Sequence, residues 1–563
     1  MSESPLPAKQ TAVLLTGPEE LEFTSAKDVP RPGPHQVLLK VEAVGLCFSD
    51  LKLLKQFSSH ARKSSVVEGL LAEELREIPS YVPGERPTVL GHEVAGRIVA
   101  VGEKVESYKP DQRVLVLPDF REVATEKSNA AFGYNFEGGL QEYVLLDERV
   151  VVGRKTGERY LIPVDAALGA SQVALVEPWS CVEDSYVTAE RQTIKPAGRL
   201  LVVAEPGHQV RGLTESLSPE GRPAEVIAIL PEPAQREALA AAGLSGGEAA
   251  GAGELPEEGF DDVVYFGASK QGVEALNGKL AREGILNIVT GGRSFGAPVS
   301  TGVGRIHYGL TRWVGTPGHS AAEGYATIPP NGEIRDGDNI MVIGAGGPMG
   351  QMHVIRSIFS GRKDLRILAT DNHESRLQAL RKKTLPLART AGVRLDLAKP
   401  EEIPAGEEFS YFALMAPLPE LVEESIQRSA PGAIINLFAG IPSPVRHELD
   451  IDHYLKQRCF LYGTSGSNIR DMKIVLDKVT RGALDTDASV DAVSGMAGAI
   501  EGLNAMKERT LAGKIVVYPQ LGNMGLIPLG KMHDHYPTVA EKMEDGQWCR
   551  KAEAELLHVA GQS

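Results

Sequence analysis

The chain has 563 residues, too many for one hydrophobic core, and that length implies about three to four domains of ordinary size. A formal net charge of −15 argues against nucleic acid or an anionic membrane as the main partner, while 42% hydrophobic and 24% charged residues is the balance of a soluble globular protein. Four cysteines, at positions 47, 181, 459 and 549, form no Cys-x-x-Cys pair, which excludes a four-cysteine structural zinc site and a disulfide framework.

The first residues lack an apolar signal core and no run approaches the roughly 18 apolar residues of a membrane span, so a cytoplasmic protein with free thiols is expected. Residues 11–50 read as strands between Pro and Gly turns, among them Ala12-Val-Leu-Leu15 and Gln36 to Gly45. They end in Gly45-Leu-Cys47-Phe-Ser49-Asp50, and 45 positions after the cysteine comes Gly91-His92-Glu93. Thiolate, imidazole and carboxylate are the ligand types that zinc accepts, and a catalytic zinc keeps one position open. Taken alone, the pair also fits a buried cysteine and an unrelated surface histidine. Between them, residues 51–86 are polar, with Arg62, Lys63 and a helical-looking stretch from Val66 to Leu75, and read as an insertion over the site. Short strands resume at Glu93–Gly102, 111–118 and 138–146, a spacing that suggests a small antiparallel barrel or sandwich. Ala174 to Tyr186, containing Glu177, Pro178 and Cys181, reads as a helix start.

From Lys195 the period changes to apolar strands alternating with Ala/Leu/Glu-rich helices, the pattern of a parallel α/β domain. Two such stretches, about 196–325 and 336–480, repeat each other. Gly198–Ala204 parallels Gly337–Gly344, Phe260–Phe266 parallels Phe409–Met415, Gly284–Gly291 parallels Gly432–Gly440, and the segment from His307 to Gly318 parallels that from His453 to Gly466. The second copy carries Gly344-Ala-Gly346-Gly347-Pro348-Met349-Gly350 between a strand and a helix, with Asp371 closing the next strand. Glycines there allow a tight turn and close approach of a pyrophosphate to a helix N-terminus, while the acid accepts from the adenosine ribose and repels a 2′-phosphate, which predicts NAD over NADP. Arg376 is placed to cover the adenine. The first copy instead reads Ala204-Glu205-Pro206-Gly207-His208, with a carboxylate where phosphate would lie, and its second strand runs into Pro231 without an immediate acid. No dinucleotide is expected there. The chain closes with a helix–strand pair around Gly502 to Tyr518 and an amphipathic terminal helix.

These motifs, with Asp111-Gln-Arg113-Val, Glu177-Pro178 and Gly513-Lys514-Ile-Val, resemble the zinc-dependent medium-chain dehydrogenase/reductase family, in particular its sorbitol dehydrogenase and sugar-phosphate reductase branch. The resemblance covers most of the chain outside 196–325 and implies an α/β architecture. A GroES-like β-rich catalytic domain over 1–190, completed by 486–563, would accompany two tandem Rossmann-like domains, a degenerate one over 191–325 and an NAD-binding one over 326–485. It implies Cys47, His92, Glu93 and Glu177 as ligands of one catalytic zinc, with Glu177 in or beside the ligand set, and Ser49 as the hydroxyl that relays the alcohol proton. The nicotinamide would lie near Phe438-Ala439-Gly440 and Gly463-Thr464-Ser465. The implied reaction is hydride transfer between NAD(H) and a secondary alcohol or ketone of a polyol, sugar or sugar phosphate. An amino-alcohol or simple secondary-alcohol dehydrogenase, or a non-catalytic dinucleotide-binding scaffold, are the alternatives. The partner is then a small molecule, not nucleic acid or a membrane. A homodimer or tetramer is the family expectation, unless the duplicate copy mimics a partner's sheet edge within one chain. Departures from the family are the missing four-cysteine lobe, the longer interval from Cys47 to His92, where Arg62 and Lys63 are either solvated or met by a phosphate, and the extra copy itself.

Overall fold

The structure, a computed structural model, describes residues 6–464 and 466–561. They divide into two compact units, one formed by residues 6–181 with 467–561 and the other by residues 182–464 with 466.

The first unit is built on an eight-stranded sheet. Its central strand, Gln36–Gly45, pairs antiparallel with Glu93–Val101, Tyr143–Asp147 and Lys514–Tyr518. Gly45 lies opposite Glu93 on one side and opposite Val516 on the other. Three distant stretches of sequence therefore meet at the end of one strand, where Cys47 begins the helix Phe48–Gln56. The expected helix from Val66 is largely absent: Val66 forms an isolated bridge with Thr125, and only Ala72–Arg76 is helical. Gly69, at φ +95°, interrupts the run in the left-handed region that glycine alone adopts readily. The expectation of a solvated basic pair also fails for Lys63, which is fully buried and donates to the carbonyls of Val82 and Arg86. Where the four-cysteine lobe is missing, a hairpin of Asp119–Ala124 and Asn129–Ala131 takes its place.

The second unit holds both α/β copies in one twelve-stranded sheet. In the second copy the strand order runs Arg394–Ala398, Arg366–Thr370, Asn339–Ile343, Phe409–Leu414, Ser429–Leu437, Phe460–Tyr462. The first copy repeats it with Gly247–Glu248, Glu225–Ile229, Arg199–Ala204, Phe260–Phe266, Leu280–Val289, Arg312–Thr316. Each half is the 3-2-1-4-5-6 order of a dinucleotide-binding sheet, parallel throughout. The halves meet where Trp313 pairs antiparallel with Leu461, and again in a two-stranded ribbon where Ser300 pairs with Glu448. In both pairings the partners are 148 positions apart. That spacing marks a pseudo-twofold axis, because an antiparallel pair centred on such an axis joins equivalent residues. It also corrects the matching of His307 with His453, since a 148-residue offset places His307 with Leu455. One apolar core runs through both halves, from Leu201, Phe260 and Val263 to Phe412, Ile435 and Leu461. Tyr454 stitches the joint, donating its hydroxyl to Trp313 O at 2.7 Å and accepting from Leu461 N at 3.0 Å.

No helix among the described residues is long and apolar enough to cross a membrane.

Candidate active site

Cys47, His92 and Glu93 come together: one possible ligand atom from each lies within 4.8 Å of the others, the one such cluster among the described residues. The sheet register explains the meeting. Cys47 follows the strand whose last residue opposes Glu93, and Gly91, at φ +91°, turns the chain so that His92 faces the same point. A Cβ at Gly91 would stand 2.8 Å from Val44 Cγ1, so only glycine fits the turn.

Asp50 holds the cluster from behind. Its buried carboxylate accepts from Cys47 N at 2.9 Å and Gly91 N at 3.3 Å, and one oxygen lies 3.2 Å from His92 Nδ1. A carboxylate can only accept, so Nδ1 carries the proton and Nε2 is left as the ligand atom, the usual arrangement behind a metal-bound histidine. Lys514 holds the other flank, donating to Glu93 Oε1 at 2.6 Å and to Leu46 O at 2.7 Å. Burial opposes the charge of Lys514, but Glu93 and Cys47 outweigh it and raise its pKa above the usual lysine range. Glu93 Oε2, in contrast, is buried without a hydrogen-bond partner. A Cβ at Gly45 would stand 2.0 Å from that oxygen, so the glycine makes room for the carboxylate. A buried carboxylate oxygen with no donor, beside a thiol and an imidazole whose other nitrogen is held, fits a zinc-type cation.

The remaining predicted residues are placed as follows. Ser49 is half-buried with Oγ 3.7 Å from Cys47 Sγ. Glu177, in the helix Val176–Val187, lies outside the three-residue cluster. Burial pushes its carboxyl up to about 7, with the charge of Glu93 adding and those of His92, Lys514 and Arg62 opposing. Arg62 comes from the insertion and lies over the Tyr134 ring at 5.5 Å, and Tyr134 in turn packs against His92 at 5.6 Å between centroids. The guanidinium keeps one ion pair, to Asp119 at 3.5 Å, and a third of its side chain is exposed. Asp50, Tyr134 and Lys514 are functional-site neighbours to which the sequence reading gave no role. Asp50 sits three residues after Cys47, at the spacing of a helix-capping acid, and that signal could have found it.

In the second unit the glycine loop is sharply defined. Gly344 takes φ +78°, and its N–H and that of Ala345 donate to Thr370 O. Gly347 caps the helix Pro348–Ile358, and a Cβ there would meet nothing closer than 4.0 Å, leaving the helix N-terminus open. Gly350 is the packing glycine, since a Cβ would lie 2.3 Å from Gly344 O. Asp371 accepts from Gly346 N at 3.1 Å, and Arg376 packs beside the same glycine. Pro348 and Met349 form the first helical turn and are half-buried. Ala439 donates its N–H to Leu414 O at the end of the sheet, and Thr464 is buried, while Ser465 falls outside the described residues. Tyr308, from the first copy, reaches this region: a Cβ at Gly440 would be 2.4 Å from its hydroxyl.

Over 205–224 the first copy has no helix among the described residues, so the N-terminus that would receive a pyrophosphate is missing. Glu205 accepts from the Tyr265 hydroxyl at 2.5 Å and Ala268 N at 3.2 Å. The missing acid is supplied one residue past Pro231, where Glu232 accepts from Gly207 N at 2.8 Å.

The family model for the Alcohol dehydrogenase GroES-like domain matches residues 33–155. Mannitol-1-phosphate 5-dehydrogenase of Aliivibrio fischeri is 23% identical over 382 residues, 61% of this chain and 88% of that protein. L-sorbose 1-phosphate reductase of Klebsiella pneumoniae is 24% identical over 358 residues, 56% of this chain and 78% of that protein. In fold, the chain is similar to 2R,3R-butanediol dehydrogenase from Bacillus subtilis, with a TM-score of 0.50 at 16% identity, covering 91% of this chain and 99% of that one. Residues 33–155 thus carry an alcohol dehydrogenase GroES-like domain, and the chain as a whole is similar to dehydrogenases and reductases of the alcohol and polyol type.

Proposed function

We propose that this protein transfers a hydride between NAD(H) and a secondary alcohol or ketone of a polyol, sugar or sugar phosphate, with one zinc ion held by Cys47, His92 and Glu93. The observation that carries this reading is the buried Glu93 Oε2 without a donor, beside the Cys47 thiol and a His92 ring whose Nδ1 is held by Asp50. Zinc, when bound, supplies a Lewis acid that lowers the pKa of the substrate hydroxyl. NAD(H), when bound, supplies or takes the hydride.

The chain's own residues do the rest. Asp50 keeps the His92 tautomer, and Lys514 offsets the charge of Glu93. Ser49 Oγ, next to Cys47, is the group placed to accept the proton that the alcohol gives up. Glu177, with its carboxyl near 7, holds or yields a proton beside the cluster rather than adding a full negative charge. Gly344 turns the chain, Gly350 lets the helix pack close, and the N-terminus of the helix Pro348–Ile358, left open at Gly347, would meet the cofactor phosphates, while Asp371 would take the ribose hydroxyls, which favours NAD. Ala439, Gly440 and Thr464 would line the nicotinamide side. Arg62 favours an anionic substrate because it faces the cluster through Tyr134. Two relatives whose names include a sugar phosphate point the same way.

Metal analysis of the purified protein should give one zinc per chain, and NADH fluorescence should show binding. Absence of both would end the enzyme reading. A Cys47→Ser variant should lose zinc and turnover together, and full turnover without zinc would refute the metal role. Polyols, ketoses and ketose phosphates, followed at the NADH absorbance band with wild type and Arg62→Gln, assign the substrate class. If Arg62 meets phosphate, KM should rise only for the phosphorylated members.

A further inference from the structure

The first α/β copy has no dinucleotide loop, yet it keeps a cavity at the carboxyl ends of its strands, of about 170 Å³, where ligands bind in sheets of this order. The floor is Phe266 and Val289, and the rim is Gly207, His208, Gly291, Arg293 and His319. With the 148-residue offset, Gly291 corresponds to Ala439, so the cavity is the pseudosymmetric mate of the nicotinamide side of the second copy. Over Gly440 the second copy has Tyr308, whereas over the corresponding Gly292 nothing lies within 4 Å of a built Cβ.

The lining is polar and short of partners. His208 is 6% exposed, and its Nε2 is buried without a hydrogen-bond partner among the described residues. Its nearest acid is Glu205, 3.9 Å from Nε2, and that carboxylate is already engaged by Tyr265 and Ala268. The other nitrogen faces the opening: a Cβ at Gly291 would be 3.4 Å from His208 Nδ1 and 3.6 Å from His319 Nδ1. Arg293 Nη2 comes within 3.3 Å of a Cβ built on Gly207, and Arg293 makes no ion pair among the described residues. Burial lowers the pKa of His208, Arg293 lowers it further, and Glu205 opposes them. The backbone donors are spent, since Gly207 N bonds Glu232, Gly291 N bonds Gly318 O and Gly292 N bonds Pro317 O. A pyrophosphate would therefore find no cradle, while a small anion would find a guanidinium and two imidazoles.

We propose that the first copy binds a small oxyanion, a carboxylate or a phosphate, between Arg293, His208 and His319. His208 Nδ1 and His319 Nδ1 both lie against Gly291 at the rim, and Arg293 supplies the charge-assisted pair that fixes an oxyanion. The space, at about 30 Å³ per water molecule, has room for several waters, the scale of a small anion.

The test is titration calorimetry of the full chain, saturated with NADH, using inorganic phosphate in one arm and acetate in the other. One site per chain is expected for at least one anion, and the arm that binds identifies the class. Arg293 is exposed, so Arg293→Gln should fold and weaken binding about tenfold or more, as expected for loss of one charged pair. His319→Gln, also exposed, provides the same reading if the first variant melts early. Arg62→Gln should leave this binding in place, which separates it from the substrate site. No heat from either anion, equal affinity in the Arg293 and His319 variants, loss through Arg62→Gln alone, or two NADH per chain would each overturn the proposal.

Discussion

The two α/β copies share a strand order, a core and a pseudo-twofold axis, yet only one has the loop for a cofactor. In the second copy the first strand runs through Gly344, Gly346 and Gly347 into the helix Pro348–Ile358. In the first copy the equivalent strand runs into Glu205, whose carboxylate caps its own neighbours, and the helix is missing among the described residues. Sheet architecture and ligand binding are thus set by different residues. Strand pairing and shared apolar burial specify the twelve-stranded sheet, while about six residues after one strand decide whether a pyrophosphate has donors to meet.

The joint between the copies can be broken most directly at Arg312. Its guanidinium pairs with Glu190 at 2.8 and 2.9 Å and donates to Gly463 O of the second copy at 3.1 Å. Arg312→Ala leaves Glu190 buried and unpaired, and urea unfolding should show a loss of about 3–5 kcal/mol. An unchanged midpoint would mean that the joint does not depend on this pair. Since the edge strand Arg312–Thr316 already faces Phe460–Tyr462, the intact chain is expected to sediment as a monomer of 60.4 kDa. A dimer would show that another surface associates.

The cofactor difference can be sharpened with Gly350→Val, whose side chain would collide with Gly344 O. NADH affinity should fall about 10- to 100-fold, the equivalent of an overpacking cost near 1–3 kcal/mol. A variant titrating like wild type would remove the packing role of this glycine. In the first copy, Glu205→Gln should cost about 1–2 kcal/mol of stability through weakened bonds to Tyr265 and Ala268. NADH affinity should stay within about twofold of wild type, and a larger change would mean that the first copy influences the cofactor.

A pH slope is expected as well. His353, buried in the helix Pro348–Ile358, has its pKa lowered to about 3 by burial and then by Arg356. The folded state therefore sheds a proton that the unfolded chain still binds below its ordinary value near 6.5. Stability is full above about 6.5 and falls as pH drops toward 3, by up to one proton's slope. His353→Phe should flatten urea midpoints measured between pH 4 and 7, and an unchanged slope would assign the acid sensitivity elsewhere.

Much of the site could be read from the chain. Cys47, His92 and Glu93 stand in short motifs with local spacing, and so do Gly344 to Gly350 with Asp371, so each half could be recognised where it lies. Asp50 and Lys514 are also in those motifs, but their roles depend on a strand register that pairs Gly45 with both Glu93 and Val516. The helix expected from Val66 failed because Gly69 turns the chain and the backbone pairs with Thr125, a contact across a long interval. Lys63 looked like a surface residue because charge alone does not say which carbonyls surround it. The acid of the first copy was missed by one residue, because Glu232 lies past the proline that closes the strand.

What the sequence alone determined was periodicity and motif: two α/β copies, one glycine loop with its acid, and three metal-ligand types. These are local properties, fixed by side-chain spacing along a few turns or strand residues. The tertiary structure decided which residues meet across hundreds of positions. It joined the copies through Trp313 and Leu461, set Lys514 against Glu93, and placed His208, Arg293 and His319 around one cavity. Such meetings follow from strand register and core packing, which long-range burial selects and no local pattern encodes.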